Sequence, residues 1–575
     1  MRNFSILLLA AVCLLIVGGC QSADEPSAPE TPASPSTTTA QPPQVEADAS
    51  MARPPGDGVD ASLYAAHLEK LSSDEFEGRA PGTRGERLTV NYLVDEFSKL
   101  GLVPGYGDSY LQPVPMVEMT NEGRSDLAIA GMGDDFSLHY PEEMIIGSRR
   151  PGREPHGVSD SELVFVGYGI VAPEYDWNDY EGLDVEGKTV VILVNDPGYA
   201  TADPALFNGN AMTYYGRWTY KYDEAARQGA AAALIVHETE PASYGWDVVI
   251  NSWSSAQFEL GDAGDEPIMA LEGWITVAAA NDLFARAGLD FEAEKTRAES
   301  AAFTPVSLGG RATGQVRNSV REGVSYNVIA SIPGNSRPDE AVIYMAHWDH
   351  LGRNLAIPGS AGIYNGAIDN ASGTAALLEI ARLYQEGSKP ERTVVFLAVT
   401  LEEYGLLGSR YYVNNPAIPT AQTVAAINMD AMTLIGPTED VVVVGYGSSE
   451  LEEILARAVK SQGRTVVQEP TPEAGYYYRS DHFNFARAGV PALYAKGGVI
   501  HRDKGVEYGM AEQRDYRDRR YHKPADEFDP NWDFTGVAED LELLYMVGRD
   551  LADGSAWPNW YPGNEFRAIR DADRP

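Results

Sequence analysis

Ala341-Val342-Ile343-Tyr344-Met345-Ala346-His347-Trp348-Asp349-His350 decides the fold, because an apolar run passes without a break into three ionisable residues. A strand apolar on both faces is buried on both faces, as in parallel sheets covered by helices. In such open α/β sheets, working groups collect just beyond the C-terminal ends of the strands. The pattern recurs along the chain. Thr393–Val399 leads into Thr400, Leu401, Glu402 and Glu403; Val424–Asn428 passes through Met429 to Asp430; Pro491–Ala495 is a fourth run of strand length. Between the first two lies a helix with apolar periodicity from about Ala371 to Tyr384. The segment Gly366-Ala367-Ile368-Asp369-Asn370-Ala371-Ser372-Gly373 sets Asp369 at its N-terminus. The expected fold class is α/β, with a mostly parallel central sheet flanked by helices.

If Asp349, Asp369, Glu402, Glu403 and Asp430 share one cleft, their mutual repulsion raises several pKa values unless cations are present. These motifs contain no Arg or Lys. Two divalent ions would relieve the repulsion. The only cysteines are Cys13 and Cys20, both near the N-terminus, so the folded body offers no thiolate ligand and no internal disulfide. Histidine and carboxylate ligands without sulfur suit zinc, with cobalt or manganese as substitutes.

Moving outward, Leu63, His67, Leu68 and Leu71 predict a helix beginning near Asp60, in which His67 packs or faces solvent. Leu88, Tyr92, Leu93 and Phe97 predict a second over Glu86–Leu100, with Gly101 as its stop. From about 160 to 300 the short apolar runs Leu163–Val166, Thr189–Val194 and Ala232–Val236 alternate with polar and aromatic loops. One helix, Tyr222–Gln228, is legible there, so this stretch reads as a β-rich insert. At the other end, Phe4–Val17 is apolar apart from Ser5, short for a membrane span and suited to a signal peptide. Residues 20–58, rich in Pro, Ser, Thr and Ala, cannot bury enough apolar surface to fold and read as a tether. The net charge of −40 repels nucleic acid and anionic lipid, so no nucleic-acid partner is expected.

The segments His347-Trp348-Asp349, Gly366–Gly373, Glu402-Glu403-Tyr404-Gly405-Leu406-Leu407-Gly408-Ser409, Asn428-Met429-Asp430 and Tyr521-His522-Lys523-Pro524-Ala525-Asp526 resemble the di-zinc aminopeptidase family of metallopeptidase clan MH. That family also contains glutamate carboxypeptidases and the non-catalytic transferrin receptor. The likeness extends from about residue 60 to the C-terminus. It implies a zinc exopeptidase-like fold binding two zinc ions and acting on peptides. Asp369 would bridge the ions, His347 and Asp430 completing one site and Glu403 and His522 the other. Asp349 would orient His347. Glu402 would be the general base, taking a proton from the attacking water and returning one to the leaving amine. Many relatives carry two acids where this chain has Ile368-Asp369; the bridging position is kept.

Tyr214–Tyr222 and Glu224–Ala232 resemble the protease-associated domain inserted in some metallopeptidases, which shapes substrate access or protein contacts. The organisation so implied is a signal peptide over 1–19, a tether over 20–58, peptidase over 59–150, insert over 155–305 and catalytic peptidase over 306–575. Val17-Gly18-Gly19-Cys20 resembles the bacterial lipobox, which implies lipidation at Cys20 and a cell-envelope location. Gln21 after it resembles lipoproteins sent to the outer membrane.

Of the nine histidines, His139, His156 and His237 lie outside these motifs; His350, close behind the ligand motif, could stand behind the ligands but is expected at the surface. Tyr477, among three consecutive tyrosines, and His482 are candidates for the substrate pocket. His501 competes with His522 as a ligand, and the Tyr-His-x-Pro-Ala-Asp context favours His522. Carboxypeptidase or dipeptidase action in the same fold would need cationic groups for a C-terminal carboxylate, with Arg479 the nearest candidate. A binding protein that has lost catalysis would lack ligands that this chain retains.

Overall fold

The computed structural model describes residues 51–254, 256–262 and 267–574; the expected leader, Cys20 and the tether as far as residue 50 lie outside the described residues. No helix among the described residues is long and apolar enough to cross a membrane.

The helix Ala61–Leu71 starts where Asp60 accepts the backbone N–H groups of Ser62 and Leu63, and it buries Tyr64, Leu68 and Leu71. Thr83 caps Arg84–Lys99 in the same way, and that helix buries Val90, Leu93 and Phe97. Both lie on the core that the helix Ser372–Glu386 also covers. Met51 and Val59 pack against this core too, so order reaches back into the stretch expected to be tether.

Four parallel strands form the centre of the sheet, in the order Arg392–Val399, Arg337–His347, Thr423–Asn428, Ala492–Gly497. The first and third are buried at every residue, as runs apolar on both faces require. Val399 stands opposite His347, and Asn428 opposite Met345, so the strands end together along one edge. Antiparallel strands flank this centre. Val306–Ile332 pairs with Arg392–Val399, and Asp440–Val443 with Ala492–Gly497. The parallel strands read from the sequence form the centre of a larger, mixed sheet flanked by helices.

The stretch expected to be β-rich is itself layered. His156–Phe165, Thr189–Leu193, Ala232–His237 and Leu271–Thr276 pair in parallel in that order, with Met144–Gly147 antiparallel on Leu271–Thr276. The expected helix is present as Trp218–Arg227, but Trp246–Ser254, Val277–Arg286 and Phe291–Arg297 are helical as well. Val277–Arg286 carries no clear helical signal in the sequence, because alanine forms half its buried stripe of Ala279, Ala280, Leu283 and Phe284. The hydrophobic cluster of this part gathers Leu127, Ile129, Met144 and Ile146 with Phe165, Leu234 and Phe284, and continues to Leu308 and Val316. The expected breaks near 150–155 and at 305 therefore fall inside it. Val306–Ile332 joins both cores in one strand: residues near 306–316 pair with His156–Phe165, and 328–332 with Arg392–Val399.

Candidate metal centre

At the common strand edge the ionisable residues converge. His347 Nε2 lies 3.3 Å from Asp369 Oδ1 and 3.4 Å from Asp430 Oδ1, with Glu402 Oε2 at 3.9 Å. His522 Nε2 lies 3.2 Å from Asp369 Oδ2 and 3.1 Å from Glu403 Oε2. The two oxygens of Asp369 thus face two different histidines. A tetrahedral zinc with ligand bonds of about 2.0–2.1 Å has ligand-to-ligand edges of about 3.3 Å. These separations fit that shell on both sides of Asp369. Two triples, His347–Asp369–Glu403 and His347–Glu402–Asp430, each bring their ligand atoms within 4.8 Å of one another.

Histidine tautomer supports the same fit. His347 Nδ1 is 3.1 Å from the backbone oxygen of Asp349, which can only accept, so Nδ1 carries the proton. A neutral ring then presents a lone pair at Nε2, and that buried atom has no hydrogen-bond partner. The Asp349 carboxylate stands farther off, at 3.8 Å from Nδ1, and its Oδ1 accepts the Glu402 N–H at 3.2 Å. Asp349 therefore touches both His347 and the backbone of Glu402.

Backbone geometry aims Asp369. Asp526 accepts the N–H groups of Ile368 and Asp369, each at 3.1 Å. Asn370 donates to the Met429 carbonyl and accepts from Gly373 N and Ala431 N, tying the Asp369 loop to the Asp430 loop. A Cβ at Gly373 would stand 2.1 Å from the Met429 oxygen, which is why glycine occupies that position. Asp430 is steadied by Ser480, whose hydroxyl donates to Oδ2 at 2.6 Å.

The charges are out of balance without cations. Burial pushes the Asp349 pKa up to about 8 and raises Glu402 well above the carboxylate range. Burial also opposes charge on His347, yet Glu402, Asp369 and Asp430 outweigh it and lift the histidine well above its ordinary value. His522 is lifted likewise, burial being overcome by Glu403 and then Tyr521. Such a carboxylate set draws positive charge, which the histidine protons supply here and which two divalent cations fit equally well.

Other expected residues fall around this centre. His482 is buried, with Nδ1 accepting from Asn428 at 3.2 Å, and burial pushes its pKa down to about 3. Tyr477 is buried against it, ring centroids 4.5 Å apart. Both stand behind Asp430 through Asn428 and Ser480. His501 accepts from the N–H groups of Asp503 and Lys504 in its own loop. His67 is buried and bonded to Tyr92.

The structure corrects one expectation and adds a cation. His350, expected at the surface, is fully buried, and its Nδ1 meets Glu403 Oε1 at 2.5 Å because the chain turns inward after Asp349. The carboxylate-bearing strand-end motifs lack Arg and Lys, but Arg79 is buried beside them, donating to the carbonyls of Trp348, Leu71, Asn365 and Gly366. Its charge faces Asp526, Asp369, Asp349 and Glu403, while burial pushes its pKa down to about 10. No local sequence signal marks Arg79; His350 was signalled only by standing next to Asp349.

Residues 327–546 match the model of peptidase family M28. Among curated proteins, the chain is 30% identical to leupeptin-inactivating enzyme 1 of Streptomyces exfoliatus over 261 residues, 44% of this chain and 53% of that protein. It is 23% identical to the probable lipoprotein aminopeptidase LpqL of Mycobacterium tuberculosis over 532 residues, 88% of this chain and 87% of that one. The chain thus spans about half the length of the first of these relatives. Among solved structures it is similar to an aminopeptidase from Aneurinibacillus sp. strain AM-1, with 20% identity, a TM-score of 0.48, and coverage of 87% of this chain and 95% of that one.

Proposed function

We propose that this chain, whose residues 327–546 belong to peptidase family M28, is a zinc-dependent exopeptidase that removes N-terminal residues from peptides. The observation that carries this reading is Asp369, whose Oδ1 faces His347 and whose Oδ2 faces His522. One metal position is assigned to His347, Asp369 and Asp430, the other to Asp369, Glu403 and His522. When bound, two zinc ions polarise the scissile carbonyl and make water a stronger acid.

The chain's own residues do the rest. Asp349 and Arg79 hold the His347 turn, and Asp526 holds the backbone of Asp369. Glu402 lies at the cleft but outside the two assigned ligand sets, its backbone fixed by Asp349. Burial raises its pKa above the carboxylate range, so that once ionised it is a stronger base toward the attacking water and, once protonated, can pass that proton to the leaving amine. His522, with 37% of its side chain exposed, marks the open side on which a peptide would enter. Tyr477 and His482 are assigned to the pocket wall behind Asp430.

The name of the Mycobacterium tuberculosis relative includes the word lipoprotein, which agrees with the lipobox-like Val17–Cys20. The reading therefore includes a lipid anchor at Cys20, a cell-envelope location at the outer membrane, and protein contacts through the insert. The test is a panel of aminoacyl anilides and N-blocked peptides, assayed before and after chelation and again after zinc is restored. Hydrolysis of anilides alone, lost on chelation and recovered with zinc, is the expected result. Cleavage confined to N-blocked peptides would replace the aminopeptidase reading, and activity that survives chelation would remove the metal from it.

A further inference from the structure

The turn that carries Glu402 and Glu403 is entered through Leu401 and left through Leu406, both in the left-handed region, at φ 58° and 60°. A leucine disfavours that conformation because its Cβ crowds the following carbonyl oxygen. Residues other than glycine persist there only where their surroundings over-determine them. Backbone bonds close the turn, from Leu407 N to the Leu401 carbonyl and from Leu406 N to that of Glu402. They relieve neither leucine, so packing has to offset the strain.

Part of that packing comes from the insert, whose strand Gln257–Leu260 pairs antiparallel with residues 116–119. Leu260 shares one buried apolar cluster with Leu401, Leu407, Val114 and Met116. The Phe258 ring is half-buried and stands 4.3 Å from that of Tyr404, centroid to centroid. Glu259, between them, accepts from Arg410 on the helix Leu407–Asn414. Three consecutive residues of the insert thus touch the chain just before and just after Glu402-Glu403. The two acids depend on this support unequally. Glu403 is held through its side chain, by His350 at 2.5 Å and His522 at 3.1 Å. The Glu402 carboxylate stands 3.9 Å from His347, beyond hydrogen-bond length, so its position follows from its backbone. Asp349 fixes that backbone at the Glu402 N–H, and the insert packs on Leu401 before it and Tyr404 after it.

We propose that Phe258 and Leu260 of the insert are positioning residues for Glu402, holding the strained Leu401–Leu406 turn so that the Glu402 carboxylate stays within reach of the attacking water. Released from that contact, Leu401 relaxes out of the left-handed region and the carboxylate moves with it. The proposal rests on the reading of Glu402 as the proton carrier. It gives the insert a part in the chemical step, separate from substrate access and from protein contacts.

The test compares the zinc-loaded full-length protein with its Phe258→Ala and Phe258→Tyr variants by amide hydrogen exchange, zinc content and turnover of leucine anilide. In Phe258→Ala, exchange of residues 401–408 should quicken about tenfold, as release of the strain predicts, while that of residues 341–347 stays within about twofold. The kcat should fall about 10–100-fold, the cost of a misplaced reacting group, with KM within about twofold and zinc content unchanged. Phe258→Tyr keeps the ring and should restore parental exchange and kcat. Leu260→Val should give the same pattern at reduced size, and it carries the test if the alanine variant does not melt cooperatively. Parental exchange and kcat in Phe258→Ala overturn the proposal. A kcat loss that tracks lost zinc also overturns it, in favour of a purely structural contact, and a raised KM at parental kcat does so in favour of substrate access. Exchange also separates the two readings. If the parent turns over neither anilide nor N-blocked peptide while exchange of 401–408 still quickens, the peptidase reading falls and the hold on the turn stands; if the parent is active and Phe258→Ala moves neither readout, the reverse is true.

Discussion

Replacing Asp526 by Asn perturbs the metal centre without touching a proposed ligand. Asp526 is fully buried, and its oxygens accept Ile368 N twice and Asp369 N once, each at 3.1 Å. In the best orientation the asparagine oxygen takes the place of Oδ2 and keeps one bond to each amide, while its NH₂ group faces the Ile368 N–H. Hydrogen bonds to a charged acceptor contribute about 1.5–3 kcal/mol and neutral ones about 0.5–1.5 kcal/mol. Two weakened bonds therefore cost about 2 kcal/mol of hold on the backbone that aims Asp369. At about 1.4 kcal/mol per tenfold, zinc should bind about 10–100-fold more weakly, the range usual for loss of a group that supports a metal ligand. The assay is competition for zinc against a chromophoric chelator at pH 7.5. Burial pushes the Asp526 pKa up to about 6, so the parent carboxylate is charged under that condition. A folded variant, judged by an unchanged cooperative melt, that binds zinc within about twofold of the parent would refute the reasoning.

Two further outcomes follow from the proposed roles. Glu402→Gln should keep both metal ions by elemental analysis and lose about 10²–10⁴-fold in kcat, the usual contribution of a positioned acid–base group; near-parental turnover would remove Glu402 from that role. Cys20→Ser should abolish palmitate labelling of the protein and release it from the membrane fraction; persistent labelling would place the anchor elsewhere.

Sheet and site differ in how far the sequence reveals them. Ala341–Ala346, Thr393–Val399 and Val424–Asn428 could be read as strands because burial on both faces leaves only apolar residues, and each runs into an acid or a histidine at its end. Convergence of His347, Glu402, Glu403 and Asp430 could be anticipated because strand ends in one sheet share an edge, with Asp369 at a helix start beside them; His522 is legible only through the family resemblance of its motif. Arg79 could not, since an arginine closing the short helical turn Asp74–Arg79 and bonded to backbone oxygens of residues 348–366 depends on contacts between distant parts of the chain. His350 was misread because one residue decides whether the chain after a strand turns inward. In the insert, alanine-rich helices carry too little contrast for periodicity to show, and a core that includes residues 127–146 and 306–316 cannot be read from a change of texture near 155.

Val306–Ile332 has a consequence for how this protein is made. The strand supplies Leu308, Ala312 and Val316 to one core, and Val328, Ala330 and Ile332 to the other. During synthesis from the N-terminus, the insert core lacks its closing strand until residue 316 has emerged. The core against the metal centre waits far longer, until Leu551 and Ala552 arrive. Beyond the insert, one edge of the strand pairs with residues 103–124, while the other stays open until Arg392–Val399 has emerged. Uncovered apolar surface and open strand edges are what holding chaperones recognise and what aggregation begins from. That exposure ends for the strand edge once Val399 has emerged, and for the core only with Leu551 and Ala552.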